Sequence, residues 1–309
     1  MARSDRPFFR HLVKVGARLL LGGSGAHVQD WFPGLRLEKP TNGETGAAFY
    51  RGRQVATISA SDAICQRSGS AIYIVGSGRS IRDADLTRLP EQSAVLLNGA
   101  VSLIGDIVEK PLAVAVEDER FIFRHFDLMQ RVVPMDIPCL LSVSAIRAIC
   151  ERQPDFLSGR TIVLIDNILR PYKEKRRSLE EASRLPSVIV DRKQRAGMSL
   201  DPDQGVFQAG SVAVSALQFA LHCRPRSIGF LGIDISNAAT QARFYEKSGS
   251  VAFSGVARAE GAILSHFGLA RAVATERDIA LVNHSAVSAL IKVGFDYDDR
   301  FASIRSSLP

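Results

Sequence analysis

From residue 71 onward, short runs of apolar, β-branched-rich residues alternate with longer stretches of helical character. The runs Ile72–Val75, Ala94–Leu97, Leu112–Val116, Cys139–Val143, Thr161–Ile165, Ile228–Leu231 and Ile279–Val282 predict strands buried on both faces. Helices are expected over Phe121–Gln130, Ala145–Glu151, Ser211–His222, Ala257–Glu276 and Ala286–Lys292. Such alternation predicts an α/β fold: a Rossmann-like, mostly parallel sheet flanked by helices.

The first seventy residues read differently. Phe8, Phe9, Leu12, Val13, Val15, Leu19, Leu20 and Leu21 are interleaved with Arg3, Arg6, Arg10, Lys14 and Arg18, against one acid, Asp5. A signal peptide wants a longer unbroken apolar core, so a basic amphipathic helix is expected. It either lies on an anionic membrane surface or packs on the domain. Gly22-Gly23-Ser24-Gly25 follows as a hinge, then turn signals at Pro33-Gly34 and Pro40-Thr41-Asn42-Gly43. Ala47–Tyr50 and Gln54–Ser59 are expected to pair as a small hairpin ahead of the main sheet. The chain thus divides into residues 1–70, a basic amphipathic segment and preamble, and residues 71–309, the Rossmann-like unit. Within the latter, 168–207 breaks the rhythm and concentrates Lys173, Lys175, Arg176, Arg177, Arg184, Arg192, Lys193 and Arg195. This is a solvated insertion or a basic lid over an anionic substrate.

With 309 residues, 46% hydrophobic and 23% charged, the chain can build a substantial core. Its net charge of +7 favours an anionic partner. None of Cys65, Cys139, Cys150 and Cys223 forms a C-x-x-C pair, so reduced thiols in a cytoplasmic protein are expected, with no metal site. No apolar run approaches the ~18 residues a membrane span requires.

Candidate chemistry collects where strands end, because ligands of open α/β sheets bind at the carboxyl ends. Gly76-Ser77-Gly78-Arg79-Ser80 follows the first strand of the unit, and glycines there let backbone approach a phosphate. The third glycine of a dinucleotide fingerprint is missing, and no Gly-Lys-Ser/Thr follows, which argues against a nicotinamide site and a P-loop. Asn98 ends the next strand; its amide suits a phosphate or sugar hydroxyl, or simply an Asn-Gly turn. Gly210-Ser211 opens a helix whose N-terminus offers donors to an anion. Asp234 follows another strand, with Arg243, Tyr245 and Lys247 beyond it. Asp83-Ala84-Asp85 reads as acidity at a helix start. His284, after the last strand, is the histidine best placed to act as a base, while His11, His125, His222 and His266 read as packing or surface residues.

Together these segments resemble the bacterial sialyltransferase-like glycosyltransferases that use CMP-activated sugars, whose fold is a variant of the GT-A architecture. The match rests on Gly76–Ser80, Asp85-Leu86, Asn98, Ala209-Gly210-Ser211, Ala213–Leu221 and Gly232-Ile233-Asp234, and covers residues 71–290. The stretch from Gly232 to Arg243-Phe244-Tyr245-Glu246 is most similar to lipopolysaccharide-core Kdo III transferases. The resemblance implies a CMP-Kdo donor, a lipopolysaccharide-core acceptor and a cytoplasmic enzyme peripheral to the inner membrane. It gives no cofactor role to a metal. It also implies that Gly76, Ser77, Gly78, Ser80, Asn98, Gly210 and Ser211 hold CMP, with Arg243, Tyr245 and Lys247 at the departing phosphate. Ser77 and Arg79 stand where the family has Asn and Pro, and Phe253–Arg258 lacks the family's histidine. The base is therefore left among Asp234, Glu260 and His284. The alternatives are a sialyltransferase or other nonulosonic-acid transferase, or a non-catalytic family member.

Overall fold

The computed structural model describes residues 7–41, 43–235 and 259–303. It is an α/β fold with a large, mostly parallel sheet flanked by helices. The chain opens with helix α1 (Phe8–Gly25), then strands β1 (Leu35–Glu38), β2 (Gly46–Tyr50) and β3 (Arg53–Ser59). A short helix α2 (Asp62–Cys65) leads to β4 (Ala71–Val75), β5 (Ala94–Leu97) and β6 (Ala113–Val116). Helix α3 (Glu119–Val132), β7 (Cys139–Ser142), α4 (Val143–Arg152) and β8 (Ile162–Ile165) follow. Next come α5 (Leu179–Ala182), the hairpin β9 (Val188–Asp191) and β10 (Ala196–Ser199), α6 (Val212–His222) and β11 (Ser227–Leu231). Helix α7 (Glu260–Thr275), β12 (Ala280–Asn283) and β13 (Asp296–Tyr297) complete the described chain.

Eleven strands form one sheet in the order β1-β2-β3-β8-β7-β6-β5-β4-β11-β12-β13. The β1-β2-β3 meander is antiparallel, and every pairing from β3 through β13 is parallel. The expected hairpin exists as β2 and β3, but it extends the main sheet through the pairing of β3 with β8 rather than standing ahead of it. From β4 the chain moves outward to β8, then returns to β4's other side with β11. The gap between β4 and β11 is therefore the topological switch point, where open α/β sheets place their ligands.

Side-chain alternation divides the interior in two. Tyr73, Val75, Leu96, Val114, Val116 and Leu141 face the core beneath α3 and α4. Ile72, Ile74, Val95, Leu97, Ala115 and Ile165 face α6 and α7. Strands covered on both sides read as continuous apolar runs, which is why these segments predict so cleanly.

The insertion at 168–207 is more ordered inside than its basic surface implies. Ile168, Ala182 and Phe207 form a small apolar cluster under β9 and β10. Gln218 of α6, fully buried, accepts from the Ser199 and Phe207 amides, each at 3.0 Å, and donates to the carbonyls of Phe207 and Val214. Satisfying every polar atom of this amide fixes the return of the chain into α6.

Two further expectations need correction. Residues Ala286–Lys292 do not form an α-helix: a 3₁₀ turn spans Ala289–Val293, capped by Ser288 and ended by Gly294 in the left-handed region. The Ser288 hydroxyl also donates to the Ile233 carbonyl, at 2.8 Å, so this segment serves as a brace for the chain after β11. Second, Cys65 and Cys223 form a disulfide, where reduced thiols were expected. Packing of α2 against the end of α6 brings residues 158 positions apart to a Cα separation of 4.7 Å, a proximity no local pattern reveals. Cys139 and Cys150 are free and buried, and burial pushes each thiol up to about 12.

Helix α1 is fastened to the body by Arg10. Its guanidinium donates to Glu119 at the start of α3 at 2.8 Å, with both side chains almost fully buried, and to the Gln29 carbonyl. Replacing Arg10 by Ala leaves Glu119 without that guanidinium in a dry site and is expected to lower the unfolding free energy by about 3–5 kcal/mol. The exposed pair Arg53–Asp155 is the control: Arg53→Ala is expected to cost less than about 1 kcal/mol in the same urea titration.

Candidate functional site

The carboxyl ends of β4 and β11 touch through their backbones. The Gly76 amide donates to the Leu231 carbonyl at 2.8 Å, and the Gly78 amide to the Gly232 carbonyl at 2.9 Å. A Cβ on Gly76 would stand 2.4 Å from the Gly232 oxygen, and one on Gly78 would stand 2.5 Å from the Asp234 carboxyl carbon. Gly232 adds a left-handed turn, with φ of 64°. These glycines are needed for the close approach of two strand ends, a constraint stricter than a loose preference for turns.

Asp234 is held firmly. Its carboxylate accepts from the Ser80 amide at 2.8 Å and from the Ser80 hydroxyl at 2.5 Å. Ser285 lies 3.0 Å from the Ser80 hydroxyl and accepts from the Gly232 amide. Asn283 in turn bonds both the amide and the carbonyl of Ser285. The ends of β4, β11 and β12 are thus one polar lattice, with Asp234 and Ser80 at its centre.

Asn98, at the end of β5, has a positive φ of 46° and begins a 3₁₀ turn. Its side-chain oxygen is buried and finds no hydrogen-bond partner among the described residues. Buried acceptors are almost always paired, so an orphan at a strand's carboxyl end points to a missing donor.

Glu117 directly follows β6 and escaped the sequence reading. It accepts a hydrogen bond from Ser215, one turn into α6, and burial pushes its carboxyl up to about 7, with the charge of Asp118 adding to the rise. Its backbone carbonyl accepts from Ser142 at 2.7 Å, tying the end of β6 to the start of α4. The signal was present: an Ala-Val-Ala-Val strand that ends in Glu-Asp places carboxylates at the functional edge of a parallel sheet.

Ser215 also sets the position of α6. The helix starts at the same edge, capped by Ser211, whose hydroxyl accepts from the Ala213 amide. Gly210 precedes it in the left-handed region, where a Cβ would stand 2.8 Å from that of Ala259. Asn167, beyond β8, donates to Gln208 at 2.7 Å and holds the approach to this turn.

The remaining candidates are more dispersed. The side chain of His284 is 1% exposed and packs between Tyr73 and Phe301 over Gly229. Its Nδ1 donates to the Asp298 carbonyl at 2.9 Å, and burial lowers its pKa. The ring therefore sits in the core beneath the edge. Glu260, at the start of α7, pairs with Lys292 at 3.0 Å. Arg243, Tyr245 and Lys247 lie outside the described residues, as does Phe253–Arg258. Asp85 caps a 3₁₀ turn through the Thr87 amide, in keeping with acidity at a helix start. Asp62, Cys65 and His222 bring metal-ligand types within 4.8 Å of one another, but the Cys65 sulfur is already bonded to Cys223 in the disulfide at the far end of α6.

No protein-family model and no curated protein matches the chain. Among solved structures it is similar to the sialyltransferase CstII from Campylobacter jejuni in complex with the substrate analogue CMP-3FNeuAc. That likeness has a TM-score of 0.38 and 14% identity, over 75% of this chain and 87% of that one. The same organism's CstII with cytidine-5′-monophosphate gives 0.36 and 14%, over 77% and 96%. CST-II with a trisaccharide acceptor and CMP gives 0.40 and 14%, over 75% and 88%.

Gly78→Ala forces the β4 turn away from Asp234 and is expected to lower stability by about 1–3 kcal/mol. Gly69→Ala, where a Cβ meets nothing within 4 Å, is the matched control and should leave the denaturation midpoint nearly unchanged.

Proposed function

We propose that this chain is a CMP-sugar-dependent glycosyltransferase that moves Kdo from CMP-Kdo to a lipopolysaccharide-core acceptor. The observation that carries the proposal is the convergence of three unlike groups on one edge. These are the β4–β11 switch point with its close-packed glycine joint, the Asn98 acceptor that has no partner among the described residues, and the near-neutral carboxyl of Glu117. The motif resemblance supports the donor class.

The cytidine moiety lies in a crevice outside this joint, where a switch point of an open α/β sheet takes its ligand. The Asn98 oxygen is an acceptor, so it takes a ribose hydroxyl or the cytosine amino group rather than the phosphate. The phosphate meets the N-terminus of α6 at Gly210 and Ser211, where helix amides and dipole favour an anion. Asp234 is already committed to Ser80, so its role is to hold the glycine loop in its binding shape. Tyr245, with Arg243 or Lys247, steadies the leaving phosphate, and the basic 168–207 segment closes over the donor.

Transfer requires the acceptor hydroxyl oxygen to attack the anomeric carbon as the bond to the CMP phosphate oxygen breaks. CMP leaves with the bonding electrons, and the hydroxyl proton must go to a base. Glu117 suits that task better than His284, whose ring is in the core, or Glu260, which is paired with Lys292. A carboxylate with a pKa near the working pH is an efficient base.

The proposal is tested by acceptor-dependent CMP release from CMP-Kdo, scored against a no-enzyme control, with CMP-sialic acid as the competing donor. Activity is expected with CMP-Kdo, with kcat/KM rising through about pH 7 as Glu117 ionises. Glu117→Gln is expected to reduce kcat by about 10²–10⁴-fold and to leave CMP affinity unchanged. Stability supplies an independent readout. A carboxyl whose folded pKa is raised from 4.5 to about 7 makes the folded state bind more protons in that window, so stability falls as pH rises from 4.5 to 7. Glu117→Gln should flatten that part of the profile. Activity with CMP-sialic acid alone would reassign the donor, and full activity in Glu117→Gln would remove the base.

A further inference from the structure

Helix α1 has its amphipathic character turned outward. Arg10 and Ala17, seven positions apart, are buried on the side facing the body. On the opposite side, Phe8, Leu12, Val15 and Leu19 follow the spacing of a single helical stripe, and they are 77%, 54%, 55% and 79% exposed. Phe9 and Leu20 widen it, at 57% and 85%. Seven of the thirteen strongly exposed large apolar side chains among the described residues belong to this helix. A helix of a globular domain normally turns its apolar stripe to the core, and a concentrated exposed patch marks a surface that something covers.

Charge identifies the occupant. The helix contains no Asp or Glu, and exposed Lys14 and Arg18 stand one turn apart along one flank of the stripe. An apolar face bordered by cations matches the boundary between acyl chains and anionic headgroups. A second copy pairing symmetrically through the same helix would bring only the same cations and no acid. No helix among the described residues is long and apolar enough to cross a membrane, so the fit is to a helix lying in the surface plane.

We propose that α1 docks this protein on an anionic lipid bilayer, with Phe8, Leu12, Val15 and Leu19 among the acyl chains and Lys14 and Arg18 at the phosphates. The Arg10–Glu119 pair gives the docking a direction. Glu119 begins α3 two residues after Glu117, so α1 is anchored to the same sheet edge that bears the crevice. That the bound orientation serves a lipid-linked acceptor rests on the transferase reading; the docking does not.

The test is co-sedimentation of the full chain with vesicles of three parts phosphatidylcholine to one part phosphatidylglycerol, and with phosphatidylcholine alone. Binding is expected to the anionic vesicles, to weaken as salt is raised, and to be slight on the neutral ones. Leu12→Glu with Leu19→Glu should abolish it. Lys14→Glu with Arg18→Glu should weaken it by about thirtyfold or more. All four side chains are exposed, so both variants should keep the wild-type denaturation midpoint and CMP affinity. The proposal is overturned if the wild-type chain ignores anionic vesicles, or if Leu12→Glu with Leu19→Glu still binds them. It is equally overturned if the apolar face instead holds two copies together, seen as a dimer that this variant dissolves. Vesicle binding is read without turnover, so loss of the enzymatic reading would leave this result standing.

Discussion

The contact between the ends of β4 and β11 is the constraint on which the rest depends. Two parallel strands meet at the switch point with their backbones bonded beyond the sheet, amide of Gly78 to carbonyl of Gly232. Only glycine fits at Gly76 and Gly78, and the Asp234–Ser80–Ser285 lattice closes around the joint. A side chain at either glycine would push against peptide groups that cannot yield. The edge is therefore shaped by backbone geometry first, and its polar side chains act on a preorganised frame.

Around this joint the edge divides its labour by strand. β4 and β11 supply shape, the end of β5 supplies an acceptor unpaired among the described residues, and the end of β6 supplies a carboxyl lifted into the neutral range. Helix α6 links them, because Ser215 meets Glu117 while its own first turn points amides at the same edge. The buried Gln218 locks the segment that leads into α6, so positioning at the edge is fixed from behind as well as from within. On the flank, the Arg10–Glu119 pair couples α1 to the end of β6, joining a surface feature to the interior.

The strands of the parallel sheet were legible because burial on both faces leaves an uninterrupted apolar signature; Ala94–Leu97 is the same segment in pattern and structure. The glycine loop, Asn98 and Gly210 were legible because turns at strand ends advertise themselves. Glu117 was missed because its significance comes from burial beside Ser215, which lies 98 residues away. The Cys65–Cys223 disulfide escaped for the same reason, and the apparent helix after Ala286 yielded to the tertiary bond between Ser288 and Ile233. His284 shows the converse: position after a strand suggested a base, while the aromatic side chains of Tyr73 and Phe301 draw the ring into the core. Local pattern reports which segments are strands; it does not report which side chain the fold leaves at the edge.

The central question is whether the edge outside the β4–β11 joint is a cytidine nucleotide site. Calorimetric titration of the full chain with CMP, alongside AMP and UMP, decides it, with Asn98→Ala as the companion. Saturable binding of CMP, weak or absent binding of AMP, and a marked loss in Asn98→Ala are predicted, since the ligand's donor would lose its acceptor. No saturable CMP binding, or CMP affinity untouched by Asn98→Ala, would contradict the assignment of this edge.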